Sequence, residues 1–180
     1  MQENPNNSKL EWLKLGVQTI DNKGLKQLKI DNLCKTLEVT KGCFYHWFKS
    51  KRDYEMQILQ FWKQKYTTAF INQANMGDTP QEKLSLLVRQ VIEGVSNDNR
   101  LEFEINTWSF NDDKVKEFVL GVYKKRYDYV NMLLKEIYPD EREAQRHSLI
   151  LYSLIVGVDF FYRKLTLEEL EMIFSDYLIQ

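Results

Sequence analysis

With only two cysteines among 180 residues, Cys34 and Cys43, and no CxxC pair or Cys/His set at metal-ligand spacing, the chain has no material for a zinc site or a disulfide framework. Histidines are equally scarce. Glu143 and His147 lie one helical turn apart, but no HExxH motif, second ExxH pair or cysteine cluster supplies the other ligands a metal requires. Phosphate-loop, dinucleotide and nucleophile motifs are also missing, so neither enzyme activity nor a cofactor is expected. Apolar runs such as Ser148 to Val158 are too short or too polar to span a bilayer, and the opening MQENPNNSK lacks the apolar segment of a signal peptide. A cytoplasmic protein without a membrane partner is expected. No alternating apolar pattern, hairpin signal or internal repeat occurs, which argues against strands and solenoids.

The apolar content of 43% and charged content of 28% are those of an ordinary soluble globular chain, long enough to bury a core. Its apolar residues recur at helical spacing throughout, predicting an all-α protein of about nine helices. The first covers Ser8 to Asn22 on Leu10, Leu13, Val17 and Ile20, with Gly24 as its stop. Ile30, Leu33, Cys34 and Leu37 mark a second. A long fourth helix from about 51 to 75 starts at Ser50 and Asp53 and stops at Asn75-Met76-Gly77. At about 1.5 Å per residue it is about 36 Å long and links the N-terminal part to the rest. Thr79, Pro80 and Glu82 form the clearest helix start, opening a segment that runs to about Val95. Asn97-Asp98-Asn99 resets the chain before a short helix with Leu101, Phe103, Ile105 and Trp108. Asn111-Asp112-Asp113 begins a long one that Pro139 ends. The last two are expected over Asp140 to Lys164 and Thr166 to Leu178, the second with a capping box from Thr166 and Glu169.

Charge is unevenly placed. Through Arg52 there are ten Lys and Arg against five Asp and Glu, a balance of +5, whereas the remainder has fifteen against twenty-one, a balance of −6. The cationic part contains the most unusual stretch of the sequence, Val39 to Lys51. Thr40 can cap a helix whose first turn, Lys41, Gly42 and Cys43, carries little bulk. Phe44, Trp47 and Phe48 recur at spacings of three and four and share a buried face, while Tyr45 and His46 turn outward. A helix anchored on one side and polar on the other suits entry into a DNA major groove, with neighbouring hydroxyl, imidazole and ammonium groups on phosphates.

The residues from about Leu28 to Leu59 resemble the helix-turn-helix of TetR/AcrR-family transcriptional regulators. That family's recognition helix follows V-[ST]-K-G-x-[FL]-Y-x-[HYW]-F-x-[SN]-K, and Val39 through Lys51 match nearly every position. The resemblance covers about the first third of the chain. It implies a helix-turn-helix domain over 5–52 and a helical effector-binding and dimerisation domain over 53–180. It also implies that Lys41, Gly42 and Cys43 approach base edges while Thr40, Tyr45, His46 and Lys51 hold phosphates. Two positions depart from the pattern. Glu38 stands where the turn usually has Gly, which imposes an unfavourable backbone conformation on a side-chain-bearing residue. Lys29 replaces the usual Thr or Ser cap of the second helix and is a further candidate phosphate contact. Cys43, where Ser or Thr is common, offers apolar contact to thymine methyl groups.

Beyond the motif, Trp62, Tyr66, Phe70, Phe103, Trp108, Phe118, Tyr123, Tyr127 and Tyr152 occupy segments that surround an effector cavity in proteins of this family. They could equally be core. A mostly apolar cavity with a few hydroxyl or indole donors would suit a small hydrophobic or aromatic effector. The family dimerises through its last two helices, which here present Leu149, Tyr152, Ser153, Val156, Gly157, Phe160, Leu170, Ile173, Phe174 and Tyr177. These too could serve one subunit's core. The resulting expectation is a homodimeric repressor bound to a palindromic double-stranded DNA operator and released by an effector. An effector-independent DNA-binding regulator, or a helical ligand- or protein-interaction module without DNA binding, uses the same features.

Overall fold

Ser8 opens the first helix by accepting from the Glu11 backbone N–H, while the Glu11 carboxylate accepts from the N–H of Ser8 in return. Such reciprocal caps satisfy backbone donors that the first turn would otherwise leave free. The computed structural model describes residues 8–96, 100–161 and 163–179. Asn97, Asp98 and Asn99, expected as a chain break, and the segment before Ser8 lie outside these. Helix α1 (Lys9–Lys23) closes at Gly24, whose φ of 81° suits a residue without a Cβ. A 3₁₀ turn at Leu25–Gln27 leads to α2 (Ile30–Leu37) and α3 (Lys41–Trp47).

Helix α4 comprises regular turns over Lys51–Lys63, a π-helical turn at Gln64–Thr68 and a final stretch at Ala69–Ala74. It is followed by α5 (Pro80–Ser96), α6 (Leu101–Ser109), α7 (Asp113–Ile137) and α8 (Glu141–Val158). Helix α9 (Leu167–Ile173) ends in a 3₁₀ turn at Ser175–Tyr177. Among the described residues these nine helices carry the fold, with no strand, and no helix is long and apolar enough to cross a membrane.

The expected caps are in place at α4, α5, α7 and α9. Ser50 accepts from Asp53 N–H, Thr79 and Glu82 form a reciprocal pair, Asp112 accepts from the N–H groups of Lys114 and Val115, and Thr166 pairs with Glu169. The C-terminal ends differ from expectation. Helix α8 stops at Val158 rather than Lys164, because Phe160 and Phe161 are about half exposed and offer no further buried stripe. Leu165 then turns into the core, and α9 is correspondingly short.

Two clusters of buried side chains share the molecule. The first joins Trp12, Ile20, Leu33, Phe44, Phe48, Tyr54, Ile58 and Trp62 of α1 to α4 with Leu101, Ile105 and Trp108 of α6 and Val115, Val119 and Val122 of α7. The second joins Ala74, Leu84, Val88 and Ile92 with Val130, Leu133, Leu134, Leu151, Leu170 and Phe174. The N-terminal helices therefore do not close a core of their own. Within the first cluster α1 meets α4 closely at Gly16, where a Cβ would lie 2.5 Å from Tyr54 Oη and 2.5 Å from Ile58 Cδ1. The Tyr54 hydroxyl cannot yield freely, because it donates to the Trp12 carbonyl at 2.6 Å with the ring fully buried. Gly16→Ala is accordingly expected to destabilise the chain by about 1–3 kcal/mol in urea denaturation, the usual range for overpacking.

Candidate nucleic-acid interface and ligand pocket

Helix α3 is held from beneath. Phe44 and Phe48 are buried, with Trp12 and Tyr54 edge-on to Phe44 at centroid distances of 5.5 and 5.3 Å. Trp47 is half-buried beside them. The opposite face is open: Lys41, Gly42 and His46 are exposed, as is Tyr45 at 55%. Cys43 lies half-buried at the edge of this face. Thr40 and Lys29, at the starts of α3 and α2, and Lys51, in the first turn of α4, are exposed around it. Of the eight candidate DNA-contact residues, seven are thus exposed and Cys43 is half-buried.

Local geometry alters some expected roles. The Thr40 hydroxyl does not cap α3; it lies 3.6 Å from Cys43 Sγ, and the Cys43 N–H donates to the Thr40 carbonyl instead. Lys29 likewise gives α2 no side-chain cap. Glu38 adopts the left-handed conformation at φ 57°, ψ 40°, the strain expected from the missing glycine. It lets the Val39 N–H reach back to the Cys34 carbonyl at 3.0 Å, which sets the turn between the two helices. Lys41 pairs with Asp31 of α2 at 2.6 Å, and that carboxylate raises the amine above its ordinary pKa. Lys51 pairs with Glu55 at 3.2 Å.

The second site is a cleft between α4, α5, α7 and α8, enclosing about 740 Å³ of space, part of it open to solvent. Tyr66 and Phe70 line it from α4, Leu87 and Val91 from α5, Tyr129 and Val130 from α7, and Tyr152 and Ile155 from α8. Of the aromatic residues expected there, Tyr66, Phe70 and Tyr152 are on the wall. Tyr127 stands behind Tyr152, edge-on at 5.6 Å. Trp62 and Trp108 fill the first core, Phe118 and Tyr123 pack against it, and Phe103 lies outside against Phe160.

The charged floor of this cleft was not foreseen. Arg126 of α7 donates through Nη2 to Glu102 of α6 at 2.9 Å and through Nε to the Thr67 hydroxyl in the π-turn at 2.8 Å. Trp62 Nε1 donates to the same Glu102 oxygen at 3.1 Å. The guanidinium carbon lies 5.0 Å from the Trp62 ring centroid and 5.6 Å from that of Tyr123, within cation–π range. Asp159, just past α8, borders the cleft as a second acid. Asp159 is an exposed residue by its surface area, yet desolvation on its cleft side, reinforced by the Glu102 charge and opposed by Arg126, pushes its carboxyl up to about 7. Burial also lifts the Tyr152 phenol to about 12, so it stays a neutral donor, bonded to the Tyr123 carbonyl at 3.0 Å.

The interface and the cleft meet at α6. Glu102 faces the cleft, whereas Glu104, two residues on, accepts from the Leu25 backbone N–H at 3.1 Å. Beyond its end Asp112 holds Arg52 of α4 in a two-point ion pair at 2.6 and 2.8 Å. A three-helix head whose long fourth helix runs into an all-helical cleft-bearing body is a known arrangement.

This is the fold of the TetR-family regulators. A TetR-family transcriptional regulator from Streptomyces coelicolor has a TM-score of 0.73 at 16% identity, covering 95% of this chain and 96% of that one. NemR from E. coli, in its reduced form, has a TM-score of 0.74 at 18% identity, covering 92% and 93%. In sequence the chain matches the transcriptional regulator AcuR of Cereibacter sphaeroides, 27% identical over 86 residues, which is 47% of this chain but only 39% of that protein. No family model matches the chain.

In this TetR-type fold the expected subunit-contact residues divide. Leu149, Ser153 and Gly157 are exposed along one side of α8 and Phe160 just past its end, and Tyr152, Val156 and Ile173 are partly covered. Leu170, Phe174 and Tyr177, by contrast, are buried in this chain's own second core, because the short α9 folds back onto α5. They are core side chains rather than a surface. His147 is likewise occupied, stacked on Tyr138 at 4.1 Å with Nδ1 3.3 Å from the Tyr177 hydroxyl, and no metal-binding group of acids, histidines or cysteines forms among the described residues.

The Asp159 environment has a measurable consequence. Its folded-state value of about 7 exceeds the ordinary 3.8, so the stability it contributes is complete below the ordinary value and is lost as pH rises through 7. The charges facing it are Glu102 from α6 and Arg126 from α7. In urea denaturation across a pH series, Asp159→Asn is expected to gain stability relative to the parent from pH 4 to about 7 and to keep that advantage above it. A constant difference across the series would refute the assignment.

Proposed function

We propose that the chain is a sequence-specific DNA-binding regulator of transcription, acting in the cytoplasm as a homodimeric repressor that a small hydrophobic or aromatic effector releases from a palindromic operator. The observation that carries this is the open face of α3. Lys41, Gly42, Tyr45 and His46 are exposed to solvent, Lys41 in an ion pair with Asp31, while Phe44 and Phe48 fix the helix from below. Small residues at the start of the helix leave room for base edges, with Lys41 and Cys43 nearest to them. Thr40, Tyr45, His46, Lys51 and Lys29 are the residues that would hold phosphates in this reading. The domains are taken as 5–52 for the DNA-binding head and 53–180 for the effector-binding and dimerising body.

The outer face of α8 supports dimerisation. Leu149, Ser153 and Gly157 recur at a spacing of four along it, Phe160 follows in the turn after Val158, and a Cβ at Gly157 would meet nothing within 4 Å. A small residue among large apolar ones permits close approach of a second copy. Two-fold symmetry then presents two α3 helices to successive major grooves, about 34–36 Å apart or somewhat more. The effector acts by preferring one arrangement of the heads over another, with α4 and α6 joining cleft to head.

Selection of bound sequences from random duplex DNA at two salt concentrations tests the proposal. A palindromic site is expected, with steeply salt-dependent affinity. Tyr45→Ala and Lys51→Ala should weaken binding to all sequences, and loss of the Lys51 contact should lower the slope of log affinity against log salt by about 1. Failure of a folded dimer to enrich any sequence would overturn it.

A further inference from the structure

Resting on the reading of the cleft as an effector site, we propose that its ligand is a lipophilic organic cation, an amine or onium group on an aromatic or apolar body. Among the described residues the cleft has two carboxylates and one guanidinium. The guanidinium is already engaged: Glu102 and Thr67 take its hydrogen bonds, and the rings of Trp62 and Tyr123 lie within cation–π distance. An anionic ligand would have to compete with Glu102 for Arg126 and would also face Asp159. A cation meets the opposite situation. Among the described residues no ion pair or hydrogen bond engages the Asp159 carboxyl, and the attraction of Arg126 is shared with Glu102, to which it is bonded, so the two acids outweigh the one cation. The carboxyl also follows the last turn of α8, whose carbonyl end is negative, and this adds to the field that attracts positive charge.

The remaining wall suits the body of such a molecule. The hydroxyls of Tyr129 and Tyr152 are committed to Asn75 and to the Tyr123 carbonyl, which leaves their rings, with those of Tyr66 and Phe70, as apolar and cation–π surface. Among the described residues no other charged side chain lines the cleft to offset the second carboxylate.

Tetraphenylphosphonium and tetraphenylborate, nearly equal in shape and opposite in charge, provide the test. With the full chain at pH 8, calorimetric titration is expected to show the phosphonium bound at least tenfold more tightly than the borate. Asp159→Asn should reduce phosphonium affinity at least fivefold, and Asp159→Lys should reverse the preference, with helical content unchanged by circular dichroism in both variants. Equal or tighter binding of the borate, binding of neither ion, or an Asp159→Asn variant that binds the phosphonium like the parent would each overturn the proposal. The regulatory reading is separated by adding phosphonium to the complex with selected DNA. Charge-selective binding that leaves DNA affinity unchanged would uphold the ligand class and reject the effector role.

Discussion

The contact between Glu102 and Arg126 ties three helices of this molecule together. Both side chains are mostly buried, and removing one partner from such a pair typically costs about 3–5 kcal/mol because the other charge is left without compensation. The pair also collects its neighbours. Trp62 and Thr67 bring in two successive turns of α4, and Tyr123 adds another contact from α7. Helices α4, α6 and α7 are consequently joined through one set of side-chain bonds, among Trp62, Thr67, Glu102 and Arg126. Helix α6 and the start of α7 carry that constraint to the head, since Glu104 holds the turn after α1 and Asp112, the cap of α7, holds the first turn of α4. What happens at the floor of the cleft is therefore mechanically close to the helices that carry α3.

Much of the helical framework was legible because it is local. Ser50, Thr79 with Glu82, Asp112, and Thr166 with Glu169 announce helix starts through residues three positions apart, and the stripes behind them follow one periodicity. The left-handed Glu38 was legible for the same reason: a turn that demands positive φ is visible when the usual glycine is absent. Where α8 ends was not. Phe160 and Phe161 continue an apolar pattern past Val158, and only the return of Leu165 to the core decides that the helix has stopped.

The cleft was legible only in part, since periodicity assigns a residue to a face without saying whether the facing helices touch. Trp62 and Trp108 share the spacing of Tyr66 and Phe70, yet the first two fill core and the second two border open space. The charged floor left no local signal at all. Glu102, Arg126 and Asp159 lie 24 and 33 residues apart in sequence, and each alone looks like an ordinary surface charge on a helix. The last helix erred in the other direction, where Leu170 and Phe174 were consumed by their own subunit once α9 folded onto α5.

The π-turn at Gln64–Thr68 gives α4 a property of its own. Before it, Tyr54, Ile58, Leu59 and Trp62 face the first core; after it, Phe70, Ile71 and Ala74 face the second. A wide turn accommodates an extra residue and swings the apolar stripe around the axis, so one continuous helix can serve two cores at different azimuths. The helix is thereby keyed like a shaft with two flats. Its length between Trp62 and Phe70 becomes a fixed dimension: adding or removing a residue there would seat one end and turn the other out toward water, whichever side chains were chosen.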